Sequence, residues 1–147
     1  MKKSDIMETK YYKSRVDWWV YAVVIFTMAY CLVFAIFFHS YALMVPLGVA
    51  FAVLEVVAFC SVKYAIRGNE LGVRGMNNGW TWYPIDKITE ARKRSGILSA
   101  SALSTRRIAI RFSDRKILKS SSPLEISPED RDTFLAELLS VNPNIML

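Results

Sequence analysis

The chain has 147 residues, 53% of them apolar and 22% charged, and a formal net charge of +6. That length excludes two sizeable globular domains. Both cysteines, Cys31 and Cys60, fall inside apolar runs, which excludes a disulfide scaffold or a thiolate metal centre in the charged remainder.

Residues 1–17 are a short basic segment, with five basic groups against three acidic ones. Trp18–Phe38 then runs without a charge, and at the α-helical rise it covers about 31 Å, the hydrocarbon thickness of a bilayer. A second apolar stretch, Tyr41–Val62, has Glu55 as its only ionisable group, leaving His39 and Ser40 for a turn. The pattern predicts a transmembrane helical hairpin over residues 18–62. A signal peptide is the competing reading of the first run, but the run exceeds a usual signal core and no clear cleavage site precedes the second span. Lys2, Lys3, Lys10, Lys13 and Arg15 precede the first span, Lys63 and Arg67 follow the second, and the turn has neither Lys nor Arg. Positive-inside counting therefore puts both termini of a multi-pass protein in the cytoplasm. With a turn near residue 40, Glu55 faces the neighbourhood of residue 25, within reach of Thr27, Met28 or Tyr30. A carboxyl at that depth is a helix-packing or functional residue.

From residue 63 the continuous run gives way to short alternating segments punctuated by turns. Val62–Arg67, Leu71–Arg74, Trp80–Tyr83, Ile85–Arg92, Arg107–Phe112, Lys116–Lys119 and Leu124–Ser127 read as strands. Met76-Asn77-Asn78-Gly79 is a hairpin signal, because Asn and Gly tolerate positive φ. Pro84 marks a strand break. Arg94 to Thr105 reads as a serine-rich loop. A closing helix is predicted with Ser127 as N-cap, Pro128 at its first position, a buried stripe of Phe134, Leu135, Leu138 and Leu139, and a stop at Asn142-Pro143. Residues 63–147 are thus one α+β domain, an antiparallel barrel or sandwich flanked by a C-terminal helix.

Ala102-Leu103-Ser104 before Arg107-Ile108-Ala109-Ile110, followed by Ile126-Ser127-Pro128-Glu129-Asp130, Phe134-Leu135-Ala136-Glu137-Leu138 and Asn142-Pro143-Asn144-Ile145, resembles the bacterial YyaB-like PH-domain family over about residues 64–145. The resemblance implies a bacterial inner-membrane protein in which a membrane hairpin precedes a PH-like (pleckstrin-homology-like) β-barrel with a C-terminal α-helix. It implies no established activity. Thr105-Arg106-Arg107 departs from the family pattern, where a single arginine follows an acidic residue, and makes the loop more basic.

Arg92 to Lys119 holds nine basic residues against Asp114 alone. Arg92, Lys93, Arg94, Arg106 and Arg107 bracket the serine-rich loop and are the candidate site for phosphate or an anionic headgroup; the competing reading is a solvated rim with Arg107 in a structural ion pair. Trp80 and Trp82 read as hairpin packing, with an exposed binding face as the alternative. Gly72, Gly75 and Gly79 lie between strands and open no helix, so they read as turn glycines rather than a phosphate loop. No nucleophile with its base, metal-ligand cluster or nucleotide loop is present, so neither catalysis nor a cofactor is expected. The expected function is that of a membrane-anchored module binding the bilayer's anionic headgroups, a protein partner or a second copy, with no nucleic acid. The alternative is a small membrane-complex subunit or assembly factor docking through its hairpin, where Glu55, Gly48 and the Ala positions matter more than the basic loop and Glu55 and Thr27 are the candidate helix-packing residues.

Overall fold

The computed structural model describes residues 8–77, 79–96, 103–118 and 122–147. Its elements are β1 (Lys10–Lys13), α1 (Trp18–Phe37), α2 (Tyr41–Cys60), β2 (Lys63–Arg67), β3 (Glu70–Arg74), β4 (Trp80–Pro84), β5 (Ile88–Ser95), β6 (Arg106–Phe112), β7 (Leu124–Ile126) and α3 (Arg131–Val141). The strands form two antiparallel sheets, β1-β2-β3-β4 and β5-β6-β7, which among the described residues do not join into a closed barrel. The fold is PH-like: two sheets and a C-terminal helix behind two long apolar helices.

Residues 10–13 of the basic N-terminal segment are part of this domain. Lys10–Lys13 forms the edge strand β1, with Lys10 opposite Ile66 and Lys13 opposite Lys63. The apolar hairpin is therefore inserted between two neighbouring antiparallel strands, and its two ends lie on the same side. Helices α1 and α2 have 20 residues each, about 30 Å at the α-helical rise. They turn through His39, whose φ of 51° is left-handed. They approach closely at Gly48, where a Cβ would lie 2.8 Å from the Cys31 Cβ. The hairpin's base enters the domain core: Val20 is buried with Val62 and Tyr64, and Val16, Trp19 and Phe59 pack against the same cluster. Helix α3 closes that core with Phe134, Leu135 and Leu138. Tyr12 meets the Phe134 ring edge-on at 5.0 Å.

Three sequence expectations are corrected. Ile85–Lys87 is a 3₁₀ turn before β5 rather than the start of a strand, because the buried Ile85 donates its N–H to the Asn69 carbonyl and its own carbonyl accepts from the Asn142 amide. Arg115–Ile117 is likewise a 3₁₀ turn, set by Asp114, whose Oδ1 accepts from the Lys116 N–H at 2.9 Å; of the rest of that expected strand, Leu118 ends the turn and Lys119 lies outside the described residues. Helix α3 begins at Arg131, with Asp130 as its N-cap accepting from the Asp132 and Thr133 amides. Ser127 does not cap it, because its hydroxyl is buried and accepts from the Leu103 N–H at 3.0 Å.

Candidate functional site

Asp17 joins the start of α1 to the far end of the basic loop. One carboxylate oxygen accepts from the Ser104 hydroxyl at 2.8 Å, and the other accepts from the Thr105 N–H at 2.7 Å and the Thr105 hydroxyl at 2.8 Å. The Arg15 guanidinium stands 3.5 Å away. Burial disfavours the charged form, but the Thr105 and Ser104 hydrogen bonds and the Arg15 charge outweigh it and hold the Asp17 carboxyl below the usual range. A buried network continues behind this clamp. The Tyr64 hydroxyl accepts from the Ser127 N–H at 3.0 Å and lies 3.3 Å from the Ser14 hydroxyl, tying β1, β2 and β7 together. Burial raises the Tyr64 hydroxyl above its ordinary value.

The five basic residues expected to bracket the loop have different surroundings. Strand β5 extends to Ser95, and the Gly96 N–H donates to the Thr105 carbonyl at 3.1 Å, so Arg94 and Arg106 stand near the two ends of the segment. Residues 97–102 lie outside the described residues. Arg92 reaches Glu90 at 2.5 Å and Lys93 pairs with Asp132. Arg107 is 1% exposed, donates from Nε to the Ser104 carbonyl and pairs with Glu125 at 2.6 Å. It is an interior ion pair, and its burial removes it from any surface that meets a headgroup. Arg94 and Arg106 are exposed and take part in no ion pair among the described residues. Arg106 shares a polar cleft with Arg15 and the Pro128–Asp132 turn. The α3 N-terminus in that cleft is already capped by Asp130, whose carboxyl the Thr133 hydroxyl and N–H hold below the usual range.

The hairpin brings together the two residues expected there. The Thr27 hydroxyl donates to Glu55 Oε1 at 2.9 Å. The second oxygen, Oε2, is buried and lacks a hydrogen-bond partner.

Two features were not foreseen in the sequence. The first is a groove of about 560 Å³ between β5 and α3, floored by Ala91, Leu135, Ala136 and Leu139. Leu147 lines it, and the preceding Met146 pairs in parallel with β5: the Met146 N–H donates to the Thr89 carbonyl, and the Ala91 N–H to the Met146 carbonyl. The second is a row of residues in direct register across the first sheet. Lys13 stands opposite Lys63, Lys63 opposite Arg74, and Arg74 opposite Trp80. Only the pairing register could have revealed that row, since its members are scattered over 68 positions.

Residues 62–142 match the bacterial PH domain family, and the chain belongs to that family. The matched region begins after the hairpin, so β1 falls outside it. No curated protein and no solved structure matches the chain.

Proposed function

We propose that the chain is a non-catalytic, membrane-anchored binding module of the bacterial inner membrane, which applies the basic ends of its β5–β6 loop to the anionic cytoplasmic leaflet. Anchoring is supported by the character of α1 and α2, whose mean hydropathies over the apolar windows are 2.5 and 2.3 while only 11% and 6% of those windows is buried. Helices of a soluble core hide their apolar faces, and an exposed surface of this extent calls for lipid. A cleaved leader fits poorly, because cleavage after α1 would remove β1 from its sheet. The basic flanks favour a cytoplasmic domain.

The observation that carries the reading is the Asp17 clamp. Asp17 immediately precedes α1, so a spanning α1 holds Ser104 and Thr105, and with them Arg106, at headgroup level. The test is hydrogen exchange of the full chain in nanodiscs. Exchange at the Ser104–Arg107 amides is expected to slow in discs containing phosphatidylglycerol relative to phosphatidylcholine alone, and Arg94→Gln with Arg106→Gln removes the difference. Exchange indifferent to lipid charge would discard the reading. Reporters fused after Lys3 and after Leu147 are both expected in the cytoplasm; an extracytoplasmic C-terminus would overturn the topology.

A partner protein is the second reading, favoured by the β5 edge. Past Ala91 the alternation turns the Lys93 N–H and C=O to the side on which Met146 pairs, and among the described residues nothing there meets them. An added strand of a partner would continue that ladder. Docking through the hairpin is less supported, because the Glu55–Thr27 hydrogen bond is made inside the hairpin.

A further inference from the structure

The outer face of the first sheet is divided by charge. At the end from which α1 and α2 leave stand Lys13, Lys63 and Arg74, in direct cross-strand register. Lys13 comes four positions before Asp17, and Lys63 three positions after Cys60. At the opposite end, Arg67 is neutralised by Glu70 at 2.7 Å. Among the described residues no carboxylate lies within ion-pair reach of Lys13, Lys63 or Arg74, and Arg74 Nε is buried without a hydrogen-bond partner. Like charges directly opposite one another on neighbouring strands repel. Three in a row leave a concentrated positive strip for which none of the described residues supplies a counter-charge.

Aromatic rings fix the strip's border. Trp80 completes the row and stacks on Trp82 at 5.5 Å with an interplanar angle of 18°. Trp82 lies flat over Gly72, where a Cβ would come within 2.6 Å of its ring, and Arg67 covers the same indole at 4.2 Å. Tyr11 meets Trp80 edge-on at 6.1 Å. Trp80 is thereby held beside the cations, and an indole is a residue type that favours the membrane interface.

We propose that Lys13, Lys63 and Arg74 form a binding row for the phosphate groups of acidic lipids, with Trp80 as its interfacial border. The proposal rests on the reading that the hairpin spans the bilayer, which sets this end of the sheet against the headgroups. It adds a second surface, on a different sheet from Arg94 and Arg106. Guanidinium and ammonium groups supply charge-assisted donors to phosphate oxygens, and the fixed register of the strands presents them in a line.

The test uses the full chain in a nonionic detergent, titrated separately with short-chain phosphatidylglycerol, short-chain phosphatidylcholine and inorganic phosphate while tryptophan fluorescence is followed. Phosphatidylglycerol is expected to bind and phosphatidylcholine not. The triple substitution Lys13→Gln, Lys63→Gln and Arg74→Gln should weaken phosphatidylglycerol binding about a hundredfold, at roughly fivefold per cation. Lys13→Arg with Lys63→Arg should keep it, and a cooperative melt of each variant verifies the fold. Undiminished binding by the triple variant would overturn the row. Inorganic phosphate binding as tightly as the lipid would overturn the lipid assignment in favour of a free-anion site. If phosphatidylglycerol binding survives in the triple variant but is lost with Arg94→Gln and Arg106→Gln, the row fails while the proposed function stands; if neither set alters it, both fail.

Discussion

The protein carries two groups of cations, and their surroundings are opposite. Along β5 and β6 the basic residues are dense in sequence, yet Arg92, Lys93 and Arg107 each have a carboxylate partner, and Arg107 is interior. Across β1, β2 and β3, Lys13, Lys63 and Arg74 are scattered in sequence, opposite one another in register and, among the described residues, without an acid. Density of charge along a chain is thus a poor guide to free charge. Strand register and the placement of carboxylates decide which cations remain available to an external anion.

The largest effect expected from this comparison is on Arg107. Arg107→Met removes the buried guanidinium partner of the Glu125 carboxylate and should destabilise the full chain by about 3 kcal/mol in chemical denaturation. That is the lower end for a broken buried pair, since the Glu125 side chain is 22% exposed. A loss below about 0.5 kcal/mol would mean that this arginine is no different from its exposed neighbours.

Asp17→Asn comes next. It keeps the shape but weakens three charge-assisted hydrogen bonds, at an expected cost of about 1–3 kcal/mol. The pH dependence has a definite sign. The folded-state value of Asp17 is depressed, so its contribution is complete above the ordinary carboxylate value, about 4, and is lost as pH falls through the lower folded value. Melting midpoints of wild type and Asp17→Asn should therefore differ at neutral pH and converge in acid. A constant gap would show that the charge on Asp17 is not what the clamp uses.

Smaller still is the effect of neutralising the row. Replacing Lys13, Lys63 and Arg74 with Gln removes repulsion and should raise stability in neutral detergent by roughly 0.2–1 kcal/mol per opposed pair. Arg94→Gln with Arg106→Gln should change stability least, within about 0.5 kcal/mol. A destabilised row variant would mean that those cations have interior partners after all, and the contrast between the two groups would dissolve.

The hairpin was legible in the sequence because a continuous uncharged run announces its own length, and Glu55 could be set near Thr27 by counting back from the turn. The strands after residue 62 were legible through alternation, except where a side chain captured the backbone, as Asp114 and Asn142 do. Strand β1 was not legible: Lys10-Tyr11-Tyr12-Lys13 has no alternation, and its partner lies some fifty residues further on, beyond both helices. The candidate loop site was legible only as composition. Composition does not separate Arg107 from Arg94, which stand directly opposite in register: Arg107 bonds to the Ser104 carbonyl three residues before it and to Glu125 on β7, a partner that only the fold brings near.

The insertion of the hairpin between β1 and β2 has a bearing on biosynthesis. Strand β1 is translated before either apolar helix, and its partner only after both. If both helices cross the bilayer, the edge of the first sheet cannot be completed until the chain has gone out and returned, and a molecule in which one helix failed to insert would have β1 and β2 on opposite sides. Assembly of the sheet thus verifies the arrangement of the spans. A misinserted copy exposes the backbone edge of β2 and lacks the ring contact between Tyr12 and Phe134, which is how a cell's quality control could tell it from a correct one.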